Sequence, residues 1–310
     1  MTLDPACLEY SRRHHGMDHD LYPYSSLFAR PDVLWPGDKK IAVGVLVSLE
    51  WFPIVPGKAP FKAPGHMQTA YPDYRHYTSR EYGTRVGFYR LLDAFAARSI
   101  RASIAVNAAI AERYPSIIAD IIAAGHEIVA HSTDMDGTID STLPETEERA
   151  IIRAARDTLA AATGTVPCGW LSIARQQSWN TPRLLVEEGF AYACDWVNDE
   201  LPYIQSTAAG PLVAVPFNHE LSDRQIITVE QHSAESYVEQ MQDACNWLAG
   251  EAQSRMLPLH VTPYIMGLPF RMAAFETLLD WLVARGDCAF LTGAELAAPF
   301  LQGLKPQQKY

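Results

Sequence analysis

The feature that most constrains this chain is the alternation of short apolar runs with segments of helical period, sustained over about 250 residues without a linker or an internal repeat. Ile41 to Ser48 is a nearly unbroken apolar run, as a strand needs when both of its faces are covered. From Thr84 the period changes, and Val86, Tyr89, Leu91, Leu92 and Phe95 return to one helical face. Strands are further predicted at Ala102 to Val106, at the run ending in Ala130, and at Val166 to Leu171, Phe190 to Asp195, Leu212 to Pro216, Ile226 to Val229, Leu257 to Val261 and Cys288 to Leu291. Helices are predicted at Pro115 to Ala124, Thr181 to Glu188, Ser233 to Gly250, Met272 to Arg285 and Glu295 to Leu301. Another, starting from a capping-box pattern at Thr142-Leu143-Pro144-Glu145, reaches about Ala162. Strands and helices in such strict turn argue for an α/β chain folded as a single barrel of parallel strands. A doubly wound open sheet is the competing architecture, weakened in its nucleotide-binding form because no GxGxxG turn follows the first strand.

Residues 1–40, rich in Pro, His, Tyr and Asp, read as an irregular arm packed on a barrel of residues 41–303, with 304–310 as a tail. Residues 53–79 carry Pro, Gly, His and Tyr without a pattern, and a loop of that length suggests a lid or an interface. The net charge of −11 argues against nucleic acid and anionic membrane as partners, since both require a basic surface. No apolar span of about 20 residues and no secretory signal is recognisable. The five cysteines at 7, 168, 194, 245 and 288 form no CxxC pair, which suits reduced thiols. A soluble cytoplasmic protein acting on a small molecule is expected.

In barrels built from βα units, chemistry gathers at the C-terminal ends of the strands. The segment Gly125-His126-Glu127-Ile128-Val129-Ala130-His131-Ser132-Thr133-Asp134-Met135-Asp136 releases polar side chains at such an end. His131, Asp134 and Asp136 fall on that rim, whereas His126 precedes the strand and is expected to be structural. The other strand-end candidates are Glu50, Arg175, Asp195, Asn198, His219, Glu220, Asp223 and His260. Glu50 follows the apolar run and is flanked by Trp51 and Phe52, so loss of solvation is expected to raise its pKa and suit it to proton transfer. His131 is a candidate metal ligand or general acid. Arg175 is a candidate for holding a carboxylate or carbonyl oxygen of a substrate, and Asp195 for tying an arginine or capping a helix.

The order of these motifs resembles the polysaccharide deacetylase superfamily, most closely its allantoinase-type branch, whose members open cyclic ureides. The resemblance spans roughly residues 22–300. It is carried by Trp35-Pro36-Gly37-Asp38, Tyr82-Gly83-Thr84-Arg85, Gly125-His126-Glu127-Ile128, Asn180-Thr181-Pro182-Arg183-Leu184, Asp199-Glu200-Leu201-Pro202-Tyr203 and Gly267-Leu268-Pro269-Phe270-Arg271. It implies a distorted (β/α) barrel of about seven strands and an oligomer, a homodimer or homotetramer. In the metal-dependent deacetylases the first strand ends in two adjacent acids, a base and a ligand. Glu50 fills the first place here and Trp51 the second. The family's His-x-x-x-His metal pair becomes His131 and Met135, and Thr262 stands where a late histidine is usual, with His260 two residues earlier on the same strand face. A thioether is a poor zinc ligand and an indole is none, so neither a metal nor another cofactor is expected.

The resulting expectation is a hydrolase of a carbon–nitrogen bond in a small, cyclic amide, imide or ureide. Glu50 would be the general base. His131 would stabilise the oxyanion or protonate the leaving nitrogen, and Trp51, Asp134, Met135, Arg175, Trp179, His260 and Thr262 would contact substrate. Two alternatives stand beside it: a metal-dependent enzyme with rearranged ligands (Glu50, His131 and Asp134 or His260), and a catalytically silent ligand-binding barrel.

Overall fold

The structure is a computed structural model describing residues 18–30, 32–57 and 69–302. Part of the 53–79 loop and the 304–310 tail lie outside the described residues. Among the described residues nine strands form one sheet: β1 (Ile41–Leu49), β2 (Ser103–Val106), β3 (Glu127–Ala130), β4 (Gly169–Trp170), β5 (Tyr192–Ala193), β6 (Tyr203–Thr207), β7 (Gly210–Ala214), β8 (Arg255–Val261) and β9 (Cys288–Leu291). The helices are α1 (Tyr74–Tyr82), α2 (Phe88–Ala96), α3 (Ala108–Arg113), α4 (Pro115–Ala123), α5 (Glu145–Thr163), α6 (Thr181–Glu187), α7 (Ala234–Gly250), α8 (Pro263–Met266), α9 (Pro269–Ala284) and α10 (Gly293–Gln302).

The strand order is β6-β7-β5-β4-β3-β2-β1-β8, with β9 also paired to β1. Every pairing is parallel except that of β6 with β7. β1 is the axis: β8 runs along it from Ile41 to Val47, while β9 pairs with residues 41–44 and β2 with residues 46–49. The sheet curls into an incomplete barrel with helices outside. The expected parallel α/β barrel is therefore found, with one more parallel strand than about seven and an antiparallel edge strand. β6 escapes sequence reading because an edge strand half open to solvent needs no apolar run. Conversely, Ile226 to Val229 is not a strand but part of a π-helical stretch, Arg224–Val229, with Ile226 and Ile227 buried. Four apolar residues cannot by themselves separate a strand from a buried helical turn. The capping box is also absent: Thr142 bonds Asp140, and α5 begins after Pro144 without a side-chain cap.

Alternation along the strands sorts the core into two layers and aims the functional side chains. On β1, Ile41, Val43, Val45, Val47 and Leu49 join the layer between sheet and helices, while Ala42 and Leu46 face the barrel interior. Continuing the period of two carries Ser48 and Glu50 to the interior. Met256 does the same for His260 on β8, and Val129 for His131 beyond β3. Gly44 also lies on the inner face, where a methyl group would come within 2.8 Å of Leu296 and 3.2 Å of Phe217. At the outer wall Gly87 and Gly267 let α8 approach the helix that contains α2; a Cβ on Gly267 would lie 2.4 Å from the Gly87 Cα. That contact seats Tyr264 beside the end of β1.

Candidate active site

The inner faces of β1, β3, β4 and β8 open at their C-terminal ends on a cavity of about 490 Å³, lined among others by Ser48, Glu50, His131, Arg175, Asp195, His219, Arg224 and His260. Seven of the strand-end candidates thus converge: Glu50, His131, Arg175, Asp195, His219, Glu220 and His260.

Glu50 is buried and clamped. Arg224 Nη2 donates to its Oε1 at 2.6 Å, and the Tyr264 hydroxyl donates to Oε2 at 2.7 Å. The same Arg224 nitrogen also donates to the Tyr264 oxygen at 3.0 Å. Burial alone pushes the Glu50 carboxyl up, but the charge of Arg224, with the nearby His131 and the bond from Tyr264, outweighs it and brings the pKa to about 2. The expected raised pKa is therefore corrected. Flanking aromatics predicted desolvation rightly, but the opposing cation comes from a residue 174 positions away. Arg224 and Tyr264 were both missed. Tyr264 stands just beyond the end of β8, where rim residues are found, whereas Arg224 adjoined a segment misread as a strand.

His131 is buried, and its Nδ1 lies 2.7 Å from the Leu171 carbonyl. A carbonyl only accepts, so Nδ1 carries a proton, and in the neutral ring Nε2 bears the lone pair. Nε2 has no hydrogen-bond partner and stands 3.9 Å from Glu50 Oε1, the oxygen held by Arg224. Asn107, another residue absent from the sequence reading, fixes both loops. Its side chain donates to the His131 carbonyl and accepts from the Trp51 N–H at 2.8 Å.

His260 is a strut rather than a proton carrier. Arg175 Nη2 donates to its Nδ1 at 2.9 Å, which leaves the proton on Nε2, donated to Ser48 Oγ at 2.7 Å. Burial, with the neighbouring guanidinium charges, holds its pKa well below the usual imidazole range. Arg175 follows β4 in a tight turn where Ala174 and Arg175 both take left-handed backbone angles (φ 53° and 55°). Asp195 does not tie an arginine directly. It accepts from the Ser172 N–H at 2.6 Å, the Ser172 hydroxyl at 2.9 Å and the Gln177 amide at 2.5 Å. Behind the cavity Asp223 is buried, accepts the Thr262 N–H at 2.7 Å and is pushed up to about 7 by burial.

Trp51, Asp134, Met135, Trp179 and Thr262, expected to contact substrate, do not line this cavity. The Trp51 ring packs under the Arg113 guanidinium at 4.2 Å, and Met135 is buried with Phe52 and Ile173. Asp134 turns back to accept the Asp136 N–H at 2.8 Å. Trp179 is exposed, and Thr262 is buried against Asp223. As expected, His126 sits at the opposite end, buried, with Nδ1 accepting the Ala102 N–H at 3.0 Å.

The residues present do not fit the metal that the superfamily resemblance implies. Both carboxylate oxygens of Glu50 are engaged, Trp51 and Met135 supply no ligand atom, and both nitrogens of His260 are used. Among the described residues no three His, Cys, Asp or Glu side chains group as a metal shell. The rearranged set is not assembled here, because Asp134 lies off the cavity and both nitrogens of His260 are engaged.

The polysaccharide deacetylase family model matches residues 80–186. PuuE allantoinase is similar over 94% of this chain and 99% of its own, at 28% identity and a TM-score of 0.83. A polysaccharide deacetylase-type protein of Pseudomonas aeruginosa PAO1 is similar over 90% of this chain and 96% of its own, at 28% identity and a TM-score of 0.82. No curated protein matches the chain. The chain has the deacetylase/allantoinase-like hydrolase fold, as its motifs implied. Family and neighbour together indicate an enzyme that hydrolyses carbon–nitrogen bonds.

Proposed function

We propose that this protein opens a small cyclic amide, imide or ureide by hydrolysis of a carbon–nitrogen bond, without the metal centre of the family's deacetylases. The observation that carries the reading is the His131 imidazole, whose buried Nε2 has no hydrogen-bond partner and stands 3.9 Å from Glu50, a carboxylate held near pKa 2. Water gives a proton to His131 Nε2 as its oxygen bonds the carbonyl carbon. Glu50 stabilises the imidazolium so formed, as a carboxylate beside a catalytic histidine does in other hydrolases. This replaces Glu50 as base, since a carboxylate held near pKa 2 is a weak proton acceptor at neutral pH. Arg224, on the same carboxylate oxygen, places positive charge near the carbonyl oxygen as it becomes an oxyanion. The His131 proton then passes to the ring nitrogen as the C–N bond breaks, leaving a carboxylic acid and a free amide or ureido nitrogen.

The cavity volume suits a small ligand rather than a polymer, and the likeness to PuuE allantoinase over nearly the whole chain supports a cyclic ureide or a related ring. Cyclic imides and ureides are more reactive than ordinary amides, so hydrolysis without a Lewis acid is chemically accessible. The acidic charge, the scattered thiols and the family resemblance support a cytoplasmic homodimer or homotetramer. Among the described residues no helix is long and apolar enough to cross a membrane. The test is turnover of hydantoin and succinimide by protein stripped with a chelator, with elemental analysis of the same sample. Unchanged turnover at trace metal content is expected; loss of activity that zinc or manganese restores refutes the metal-free scheme.

A further inference from the structure

Within the cavity the two arginines differ. Arg224 has its counter-charge in Glu50 at 2.6 Å. Arg175 has none at ion-pair distance among the described residues. Its Nη2 is spent on two neutral acceptors, the Phe217 carbonyl at 2.8 Å and His260 Nδ1 at 2.9 Å, and its Nε is enclosed without a partner. Asp195, the acid that acts most strongly on its charge, is turned toward Ser172 and Gln177. Of the other acids on the wall, Glu50 is taken by Arg224, and Glu220 makes no ion pair with Arg175. Burial accordingly pulls the guanidinium down to about 10. A cation left with neutral partners is a costly arrangement. Here it is also a built one, because His260 and Ser48 brace it from β8 and β1, and two successive non-glycine residues adopt left-handed angles to present it.

We propose that the substrate bears a carboxylate and that Arg175 is the group that receives it. This inference rests on the reading of the cavity as the site of ring-opening hydrolysis. The substrate class is then a cyclic amide, imide or ureide with an anionic substituent, its ring toward His131 and its carboxylate toward the guanidinium. Arg175 contributes a charge that persists at all physiological pH and is held in place through Nη2 by Phe217 and His260, so its direction is fixed as a lysine's would not be. Because the site lies inside the barrel rim, the preference persists at physiological ionic strength, where an exposed charge would be screened.

The test compares two ligands of the same size, hydantoin-5-acetate and hydantoin-5-acetamide, by calorimetric binding and separately by ring-opening rate. The wild-type protein is expected to bind the carboxylate at least about tenfold more tightly than the amide, the worth of one charge-assisted contact. Arg175→Met should erase that ratio and Arg175→Lys should keep part of it, each variant being checked for a native melting transition. Equal binding of the two ligands, a ratio unchanged in Arg175→Met, or no binding of either at millimolar concentration overturns the inference. Should Arg175→Met not fold, the Arg175→Lys ratio decides in the same way. The readouts fail separately. A carboxylate preference without turnover keeps the anion site and removes the hydrolytic reading, while equal turnover of both ligands does the reverse.

Discussion

The two ends of the barrel carry the same residue types to opposite purposes. Each end of β3 is bordered by a histidine, and each end of the barrel holds a glutamate, Glu50 buried and Glu127 half-buried. At the N-terminal end Glu127 accepts from the Ser103 hydroxyl at 2.7 Å, the Tyr192 hydroxyl at 2.7 Å and the Ala294 N–H at 3.2 Å, closing the start of α10. His126 accepts the Ala102 N–H there and packs on Phe95. All of these donors are neutral and the assembly is closed. At the C-terminal end the partners are charged and incomplete. Glu50 is held by a guanidinium, His131 Nε2 and Arg175 Nε have no partner, and the cavity opens between them. Buried polar groups are normally satisfied, so two unpartnered nitrogens, on His131 and Arg175, in the wall of one cavity distinguish this rim from the closed end around Glu127.

The sharpest way to break this contrast is to change the two histidines in parallel. His131→Asn should lower kcat by about 10²–10⁴-fold in a steady-state assay, the usual worth of a general acid–base group. His126→Asn should leave kcat intact, and comparable activity losses in both would erase the distinction. Glu50→Gln should likewise keep the fold and lose turnover by orders of magnitude; near-normal rates would remove Glu50 from the mechanism.

Next in size is the clamp. Arg224→Met leaves Glu50 buried without its counter-ion and should cost about 3–5 kcal/mol in urea unfolding. The double variant with Glu50→Gln should recover much of it, and additive losses would show that the pair acts independently.

Titration sharpens the comparison further. The folded pKa of Glu50, about 2, lies below its ordinary 4.5, so the folded state binds fewer protons between those values. Its contribution to stability is complete above about pH 4.5 and is lost as pH falls toward 2. Asp223 acts with the opposite sign. Its pKa rises from 3.8 to about 7, so stability falls as pH rises through that window. Unfolding free energies measured against pH should flatten below pH 4.5 in Glu50→Gln and between 3.8 and 7 in Asp223→Asn. Unaltered slopes would mean that neither carboxyl is shifted as the packing implies.

The smallest effect belongs to the closed end. Tyr192→Phe removes one hydrogen bond to Glu127 and should cost about 0.5–1.5 kcal/mol. The kcat of the folded protein should stay unchanged; a large drop in activity would mean that the two ends communicate.

What the sequence determined by itself was the architecture and the positions from which chemistry could be offered. An apolar run such as Ile41 to Leu49 must be covered on both faces. The alternation of such runs with helical segments leaves few arrangements other than a parallel, curled sheet. The period of two along β1 and β8, with the strand-end rule, was enough to bring Glu50, His131, Arg175 and His260 to one rim. The missing metal ligands were equally legible, because Trp51 and Met135 carry no suitable donor atom whatever their geometry. Tertiary structure alone decided the charge state and the partners. Arg224 and Tyr264 lie 174 and 214 residues from Glu50, and their approach lowers a pKa that its sequence neighbours would raise. The same long-range packing moved Trp51, Asp134, Met135, Trp179 and Thr262 off the cavity and gave His131 its tautomer through the carbonyl of Leu171, 40 residues on. Local sequence fixes which face a side chain takes; electrostatic environment depends on what folds against it, and that information is distributed over the whole chain.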